Sequence, residues 1–367
     1  MRSFLRINLF LAVLYGLAIA GAQGNANVSW RALYQGQLGD QAVTLDLALA
    51  ADGRAFGRLT RAGMTNVLDG VGTHDAVDGT VELELRVASG LAPSVALDYA
   101  FLDAEYVDEA AAATDPVIAV LTGTRSIDWT DDGASLTTNL NYLEANAVEG
   151  TLTRTAQYAF GSLVEGRIDL SYAYPRFLAQ HTALNALLAE RATSRLGDWA
   201  SEGRKIVDTA DGLGWGWAHS ESTDLVGAAA DHLSLLTSFY YYTGGAHPNG
   251  HSESLLVRDN GDGLKTVALA ELFAAGSDWR SQVLEWVLAD LAEQGAEFVR
   301  NGDVTANDLE LTTFTLGARG LTFHFDAYAV GPYVQGPFQV VVAYERLNPI
   351  TAPGGALAAF AAEFAQD

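Results

Sequence analysis

The chain has 367 residues with 45 acidic and 21 basic side chains, so its net charge at pH 7 is −24, and it contains no cysteine. This length is enough for two or three domains, and a hydrophobic content of 49% is enough for a sizeable core. The charge argues against a nucleic-acid partner, because phosphate binding needs clustered lysine and arginine. The lack of cysteine excludes disulfides, cysteine lipidation and a cysteine nucleophile.

The N-terminus has the three parts of a secretory signal peptide. Arg2 and Arg6 precede the apolar run from Ile7 to Ala20, and small residues follow it up to Ala22. We therefore predict a signal peptide over residues 1–22 and a periplasmic or secreted protein. An uncleaved membrane anchor is the alternative. However, the run is shorter than the roughly 20 residues of a spanning helix, so we expect no stable membrane span after cleavage.

Residues 23–156 are predicted to form a β-rich module. Val81, Leu83, Leu85 and Val87 alternate with polar residues, which is the period of a half-buried strand. Similar runs are separated by turn signals, namely Asp52-Gly53, Asp69-Gly70, Asp78-Gly79, Asp132-Gly133 and Glu149-Gly150. Short strands at this spacing indicate an antiparallel meander, curled into a barrel or sandwich.

Residues 157–349 are predicted to form an α+β domain with a mostly antiparallel sheet and two main helices. The first helix is expected from Pro175 to about Trp199, with Leu184 and Leu188 on its buried face. The second is expected to begin at Ser277 as N-cap. Alternating strand patterns flank these helices, and residues 350–367 are expected to form a tail with at most a short helix. The stripe of the second helix comprises Trp279, Val283, Trp286, Val287 and Leu291.

Two bends concentrate unusual residues. The aromatic run from Phe239 to Tyr242 enters a turn rich in glycine, proline and asparagine, which also contains His247 and His251. The second bend runs from Tyr328 to Pro337 and contains two Gly-Pro pairs. We predict that the two bends form a rigid surface for ligand docking, because tyrosine offers both a ring face and a hydroxyl.

Four segments carry a family resemblance in the same order along the chain. They are Ser171-Tyr172-Ala173-Tyr174-Pro175, the stretch from Tyr242 to Asn249, the stretch from Leu269 to Phe273, and the stretch from Phe325 to Gly336. Over residues 157–347 the chain resembles the exported domain of RsiV anti-sigma factors, whose extracellular part binds lysozyme. A similar domain precedes the catalytic part of PdaC-type peptidoglycan deacetylases.

The resemblance implies a binding role in the cell envelope. We expect no sigma-factor role, because only six residues precede the apolar segment, and the deacetylase catalytic domain has no counterpart in the sequence. The expected ligand is a cationic protein such as a lysozyme-like muramidase, and the alternative is peptidoglycan or another glycan. The predicted ligand-binding residues are Tyr242, Gly244, Gly245, His247, Asn249, Tyr328, Pro332 and Tyr333.

We predict no catalytic residue, no metal and no cofactor, so the protein is not expected to be an enzyme. No G-x-S-x-G motif occurs, and the calcium-like run from Asp259 to Gly263 has Ala270 where a calcium loop needs a bidentate glutamate. Two alternatives remain open. A metal-dependent hydrolase would use His247 and His251, with His219 or His232 as a third ligand. A glycan-binding module would use the tyrosines together with Trp215 and Trp217.

Overall fold

The computed structural model describes residues 28–61, 68–75, 77, 79–87, 119–125, 135–142, 148–209, 216–260 and 263–364. The predicted signal peptide and Trp215 lie outside these residues. No helix in the described ranges is long and apolar enough to cross a membrane.

The first eight strands form the predicted antiparallel meander, in which each strand pairs with the next along the chain. β1 also pairs with β8. Alternate side chains of these strands build one apolar core, which includes Leu45, Leu47, Leu83 and Leu85. The strands are Val28–Leu38 (β1), Gln41–Ala50 (β2), Arg54–Arg61 (β3), Leu68–His74 (β4), Thr80–Val87 (β5), Ala119–Arg125 (β6), Ser135–Tyr142 (β7) and Val148–Glu165 (β8).

The 18-residue strand β8 joins the two halves of the chain. Its first half pairs with β1 and β7, and its second half, from Ala156 to Glu165, pairs with β9. The predicted turn at Glu149-Gly150 is therefore wrong. The one at Asp69-Gly70 is also wrong, because both residues lie within β4, and Asp132-Gly133 lies outside the described residues. Gly150 lies within β8, where a Cβ atom would meet the carbonyl oxygen of Gln37 at 2.0 Å, so glycine permits close strand approach. Because β8 continues into the rest of the sheet, there is no separate closed barrel.

The remaining strands confirm an α+β fold with one large mixed sheet and one small sheet. The large sheet continues through β9 to β13, and only the pairing of β9 with β10 is parallel among the described strands. The small antiparallel sheet comprises β14 to β16. The strands are Ile168–Phe177 (β9), Trp217–Ala229 (β10), His232–Tyr242 (β11), Asn249–Asp259 (β12), Leu264–Thr266 (β13), Phe314–Gly317 (β14), Gly320–Phe325 (β15) and Phe338–Val342 (β16).

The first main helix, α1 (Thr182–Thr209), connects the parallel strands β9 and β10. It begins later than predicted, because Pro175 lies in β9 just beyond Ala173, the last residue paired with β10. A proline is tolerated at such an unpaired edge. The side chain of Asn185 bonds both the N–H and the C=O of Phe177, at 2.8 and 2.9 Å, and so ties the helix to the strand. The predicted buried face is confirmed at Leu184 and Leu188.

The second main helix, α2 (Trp279–Gln294), packs against the small sheet. Its N-cap is Asp278, one residue after the predicted Ser277, and it ends at Gly295 with a left-handed φ of 91°. Val283, Val287 and Leu291 are fully buried, which confirms the predicted stripe. The shorter helices are Glu297–Arg300 (α3), Tyr344–Leu347 (α4) and Ala356–Phe364 (α5), and α5 contributes to the same core.

A buried charge network connects β1, β2, β8 and β10. Arg31 is 1% exposed and bonds Asp46 through two nitrogen–oxygen contacts of 2.8 and 2.6 Å. It also donates to Asp224 at 2.6 Å, and the hydroxyl of Tyr158 donates to the same oxygen of Asp224 at 3.0 Å. The guanidinium of Arg31 lies 3.9 Å above the Tyr158 ring. This network fixes the first strands against the C-terminal half of the chain.

Candidate functional site

The first bend, residues 243–248 between β11 and β12, forms a compact hook. Gly244 and Gly245 have φ angles of 91° and 111°, which glycine adopts readily and other residues rarely do. The hydroxyl of Tyr242 donates to the carbonyl of Gly245 at 3.1 Å. The Nδ1 of His247 donates to the carbonyl of Pro248 at 2.8 Å. These local bonds hold the hook in one conformation.

The second bend, residues 326–337 between β15 and β16, forms what we call the tyrosine corner. Tyr328 has a φ of 72°, and 54% of the residue is exposed. A non-glycine residue at such an angle is strained, and such residues cluster at functional sites. The rings of Tyr328 and Tyr333 lie 5.6 Å apart, and the neighbouring Val334 is 60% exposed. The corner therefore presents an exposed aromatic and aliphatic surface.

The structure brings the hook and the tyrosine corner together. The ring of Tyr333 stacks on His247 with centroids 4.1 Å apart, and its hydroxyl donates to the carbonyl of Pro248 at 2.8 Å. Pro332, which is half-buried, precedes the short 3-10 turn that contains Tyr333. Asn249 is the first residue of β12 and pairs with Tyr241. All eight predicted ligand-binding residues thus lie in the hook, in the corner or directly beside them.

The tyrosine corner is also anchored from behind by the junction of α2 and α3. The side chain of Gln335 accepts from the backbone N–H of Glu297 at 3.1 Å and donates to the carbonyl of Gly295 at 3.2 Å. A Cβ atom at Gly331 would meet the Gln335 side chain at 2.2 Å, so only glycine fits there without displacing this anchor. Because both bends are anchored, the exposed residues between them are preorganised.

Burial raises the pKa of two ionisable groups at the tyrosine corner. Burial raises the pKa of Tyr240, which lies under the corner, and the nearby Tyr333 and Tyr242 raise it further. Asp326 lies at the base of the corner, and its burial raises the pKa of its carboxyl although His251 opposes this shift.

The four histidines considered as metal ligands do not form a common site. His247 stacks on Tyr333, whereas His251 lies on β12 and stacks on Phe239 with centroids 4.2 Å apart. His219 stacks on Trp199, and His232 pairs with Asp231. Within the part of the chain that the structure describes, no group of three or more metal-ligating side chains is found.

Trp217, one of the two tryptophans considered for glycan binding, is not exposed on the surface. Trp217 is 5% exposed, and its indole nitrogen donates to the carbonyl of Trp199 in α1 at 3.2 Å. A Cβ atom at Gly203 would lie 2.6 Å from the Trp217 ring, so the indole is packed under the helix. Stacking on a sugar through Trp217 is therefore excluded, and the tyrosines are the described residues that remain for that role.

Sequence reasoning missed Val334 and Gln335 as members of this surface. Val334 is apolar and exposed beside Tyr333, and Gln335 supplies the anchor described above. Their place between the two Gly-Pro pairs of the second bend was a usable signal. The alternation that identifies strands does not apply in a bend, so the exposure of Val334 could not be read from its neighbours.

Comparison with known proteins places a family match over the second bend. Residues 270–345 match DUF3298, described as a protein of unknown function. The C-terminal region thus carries a DUF3298 domain, which contains the tyrosine corner, while the hook precedes the matched residues.

Two solved structures are similar to the chain. One is a DUF3298 family protein from Pseudomonas aeruginosa PAO1, with 19% identity and a TM-score of 0.39, where the match covers 54% of this chain and 93% of that one. The other is a member of the same family from Bacteroides fragilis NCTC 9343, with 13% identity and a TM-score of 0.42, where the match covers 56% of this chain and 98% of that one. None of the curated proteins matches the chain.

Proposed function

We propose that this protein is an exported binding protein of the cell envelope, which captures a cationic protein such as a lysozyme-like muramidase. The capture surface consists of the hook and the tyrosine corner. The observation that carries the proposal is the contact between Tyr333 and the hook, which leaves Tyr328 and Val334 exposed on a fixed base. The protein acts by binding and not by catalysis.

The chemistry of the surface supports protein recognition. Tyrosine presents a large apolar ring with a polar tip and loses little rotamer freedom on binding, so it is enriched among the residues that dominate interface energetics. A surface already held by hydrogen bonds also avoids much of the ordering cost of association. Tyr328 and Tyr333, with Val334 beside them, supply such a centre.

The charge of the chain supports a cationic partner. A net charge of −24 creates a negative field that speeds encounter with a basic protein and repels acidic ones. The resemblance to the RsiV exported domain adds lysozyme as a specific candidate. Electrostatic steering acts mainly on the association rate, whereas the tyrosines are expected to determine the dissociation rate.

Retention of lysozyme on the immobilised protein tests this proposal. Binding should be strong at an ionic strength of about 0.01 M, where the Debye length is about 30 Å, and weaker at about 1 M, where it is about 3 Å. An acidic protein of similar size is the matched control and should not bind. Lack of lysozyme retention at both ionic strengths contradicts the proposal.

A glycan-binding role is the second candidate, and the exposed ring of Tyr328 beside the His247–Tyr333 stack favours it. Flat rings stack on the apolar faces of sugars without using charge. Sedimentation with purified sacculi distinguishes the two candidates. Binding to sacculi that persists at about 1 M ionic strength supports stacking, because charge interactions are screened there.

A further inference from the structure

A cavity of about 530 Å³ lies between the first three strands and the DUF3298 domain. This volume is within the usual range of small-molecule sites, roughly 300–1,000 Å³, and contacts between two parts of a chain are a common place for them. The surface of the hook and the tyrosine corner does not contribute to it. Its polar lining includes Gln37, Thr44, Thr60, Arg319, Thr322 and Gln339.

Most of the charge at the cavity is internally neutralised. Arg31 is paired with Asp46 and Asp224, and Arg58 is paired with Asp69 at 2.7 Å. One cation and one carboxylate of the lining, Glu363, lie outside these pairs, and the rest of the lining combines apolar side chains with neutral amides and hydroxyls.

That cation is Arg319, at the tip of the two-residue loop between β14 and β15. It forms no ion pair with any acid in the described ranges, although Glu363 lines the same cavity. Arg319 lines the cavity but is still exposed to solvent, and its partial desolvation lowers the pKa of its guanidinium. The chain has more than twice as many acids as bases, and yet this guanidinium has no acidic partner in the described ranges. It is therefore available to an external anion.

Two neighbouring groups complete the lining. The Nε2 of His324 lies 2.9 Å from the hydroxyl oxygen of Thr315, and burial, with a smaller contribution from Arg319, lowers the pKa of His324 to about 4. The imidazole is therefore neutral near pH 7 and adds no charge. Asp224, which is 8% exposed, has one carboxylate oxygen without a hydrogen-bond partner among the described residues. A buried acceptor in that state favours a ligand that brings a donor.

We propose that this cavity binds a small sugar acid, whose carboxylate pairs with Arg319 and whose hydroxyls bond the amides and hydroxyls of the walls. A carboxylate matches the planar fork of a guanidinium, and hydroxyl groups match a lining of glutamine and threonine. Asp224 accepts from one ligand hydroxyl. This site gives the N-terminal strands a role of their own, separate from capture at the tyrosine corner.

Saturation-transfer NMR titration of the full chain tests the proposal with glucuronate and glucose, which differ in the carboxylate. We expect glucuronate to bind at least about tenfold more tightly, as a charge-assisted bond predicts. Arg319→Gln should weaken the binding of glucuronate by about the same factor and leave the binding of glucose unchanged. Arg280→Gln is the matched control, because Arg280 is exposed on α2 and does not line the cavity. This variant should bind glucuronate and glucose as the unchanged protein does.

Three outcomes overturn the proposal: no binding of glucuronate, equal binding of glucuronate and glucose, or unchanged glucuronate binding in Arg319→Gln. Succinate is an additional probe and should bind more weakly than glucuronate, because it lacks the hydroxyls. Tyr333→Ala should not affect the binding of glucuronate. This last comparison separates failure at the cavity from failure of the proposed protein-capture surface.

Discussion

The hydroxyl of Tyr333 donates a 2.8 Å hydrogen bond to the carbonyl of Pro248, 85 residues earlier in the chain. The bond and the ring stack on His247 join a bend of the small sheet to a bend of the large sheet. The proposed capture surface exists only because these two bends are in contact.

Tyr333→Phe should remove the hydrogen bond to Pro248 and keep the ring stack. We expect a loss of about 0.5–1.5 kcal/mol in the free energy of unfolding, the usual net value of one hydrogen bond. Chemical denaturation measures it. Tyr172→Phe is the matched control, because Tyr172 is half-buried and its ring stacks on Tyr174. An equal loss in both variants would contradict a specific role for the bond.

Tyr328→Gly should stabilise the fold and weaken capture at the same time. Glycine relieves the strain of a φ of 72°, which is worth about 1 kcal/mol, but it removes the exposed ring. Ala230→Gly is the control, because Ala230 is the other described non-glycine residue with positive φ, at 51°. It should stabilise the fold without affecting capture. Thermal unfolding and lysozyme binding together measure both effects, and unchanged binding in Tyr328→Gly would exclude Tyr328 from the surface.

Arg31→Ala should destabilise the fold by about 3–5 kcal/mol, because it leaves two buried carboxylates without their cation. Denaturant unfolding measures the loss. Arg204→Ala breaks an exposed ion pair with Glu165 and should cause little change. If the two variants lost similar stability, the buried network would not be what holds the first strands in place.

His324 should make stability depend on pH on the acidic side of neutrality. Its pKa falls from 6.5 in the unfolded chain to about 4 in the fold, so the unfolded state binds the proton more tightly. Stability is therefore full above pH 6.5 and decreases as the pH falls toward about 4, by up to about 3 kcal/mol. His324→Gln should reduce the slope of the profile in this interval, and His219, whose pKa burial also lowers to about 4, should keep part of it. A profile that is unchanged by the substitution would contradict this assignment.

Periodicity was sufficient to predict the regular elements that have one buried face. The alternation in β5 and the apolar stripe of α2 each reflect burial on a single side, which is a local property. The composition of the two bends likewise located the candidate surface, although it did not indicate Val334 and Gln335 as members.

Other features depended on contacts between distant residues and could not be predicted from local patterns. Pro175 marks the end of pairing with β10 and not the start of a helix, and Gly150 permits close strand approach and does not form a turn. The bond between Tyr333 and Pro248 joins residues that no local pattern relates. A register or a long-range contact is fixed by packing, and packing is not visible in spacing alone.

The dissociation constant for lysozyme, measured for the full chain and for a variant carrying both Tyr328→Ala and Tyr333→Ala, tests the central claim most directly. Val164→Ala is the control, because Val164 is 70% exposed on β8 and belongs to neither bend. If the hook and the tyrosine corner form the capture surface, the double variant binds at least about 30-fold more weakly, as loss of a hot spot worth 2 kcal/mol or more implies, while Val164→Ala binds normally. Tight binding by the folded double variant would contradict the account.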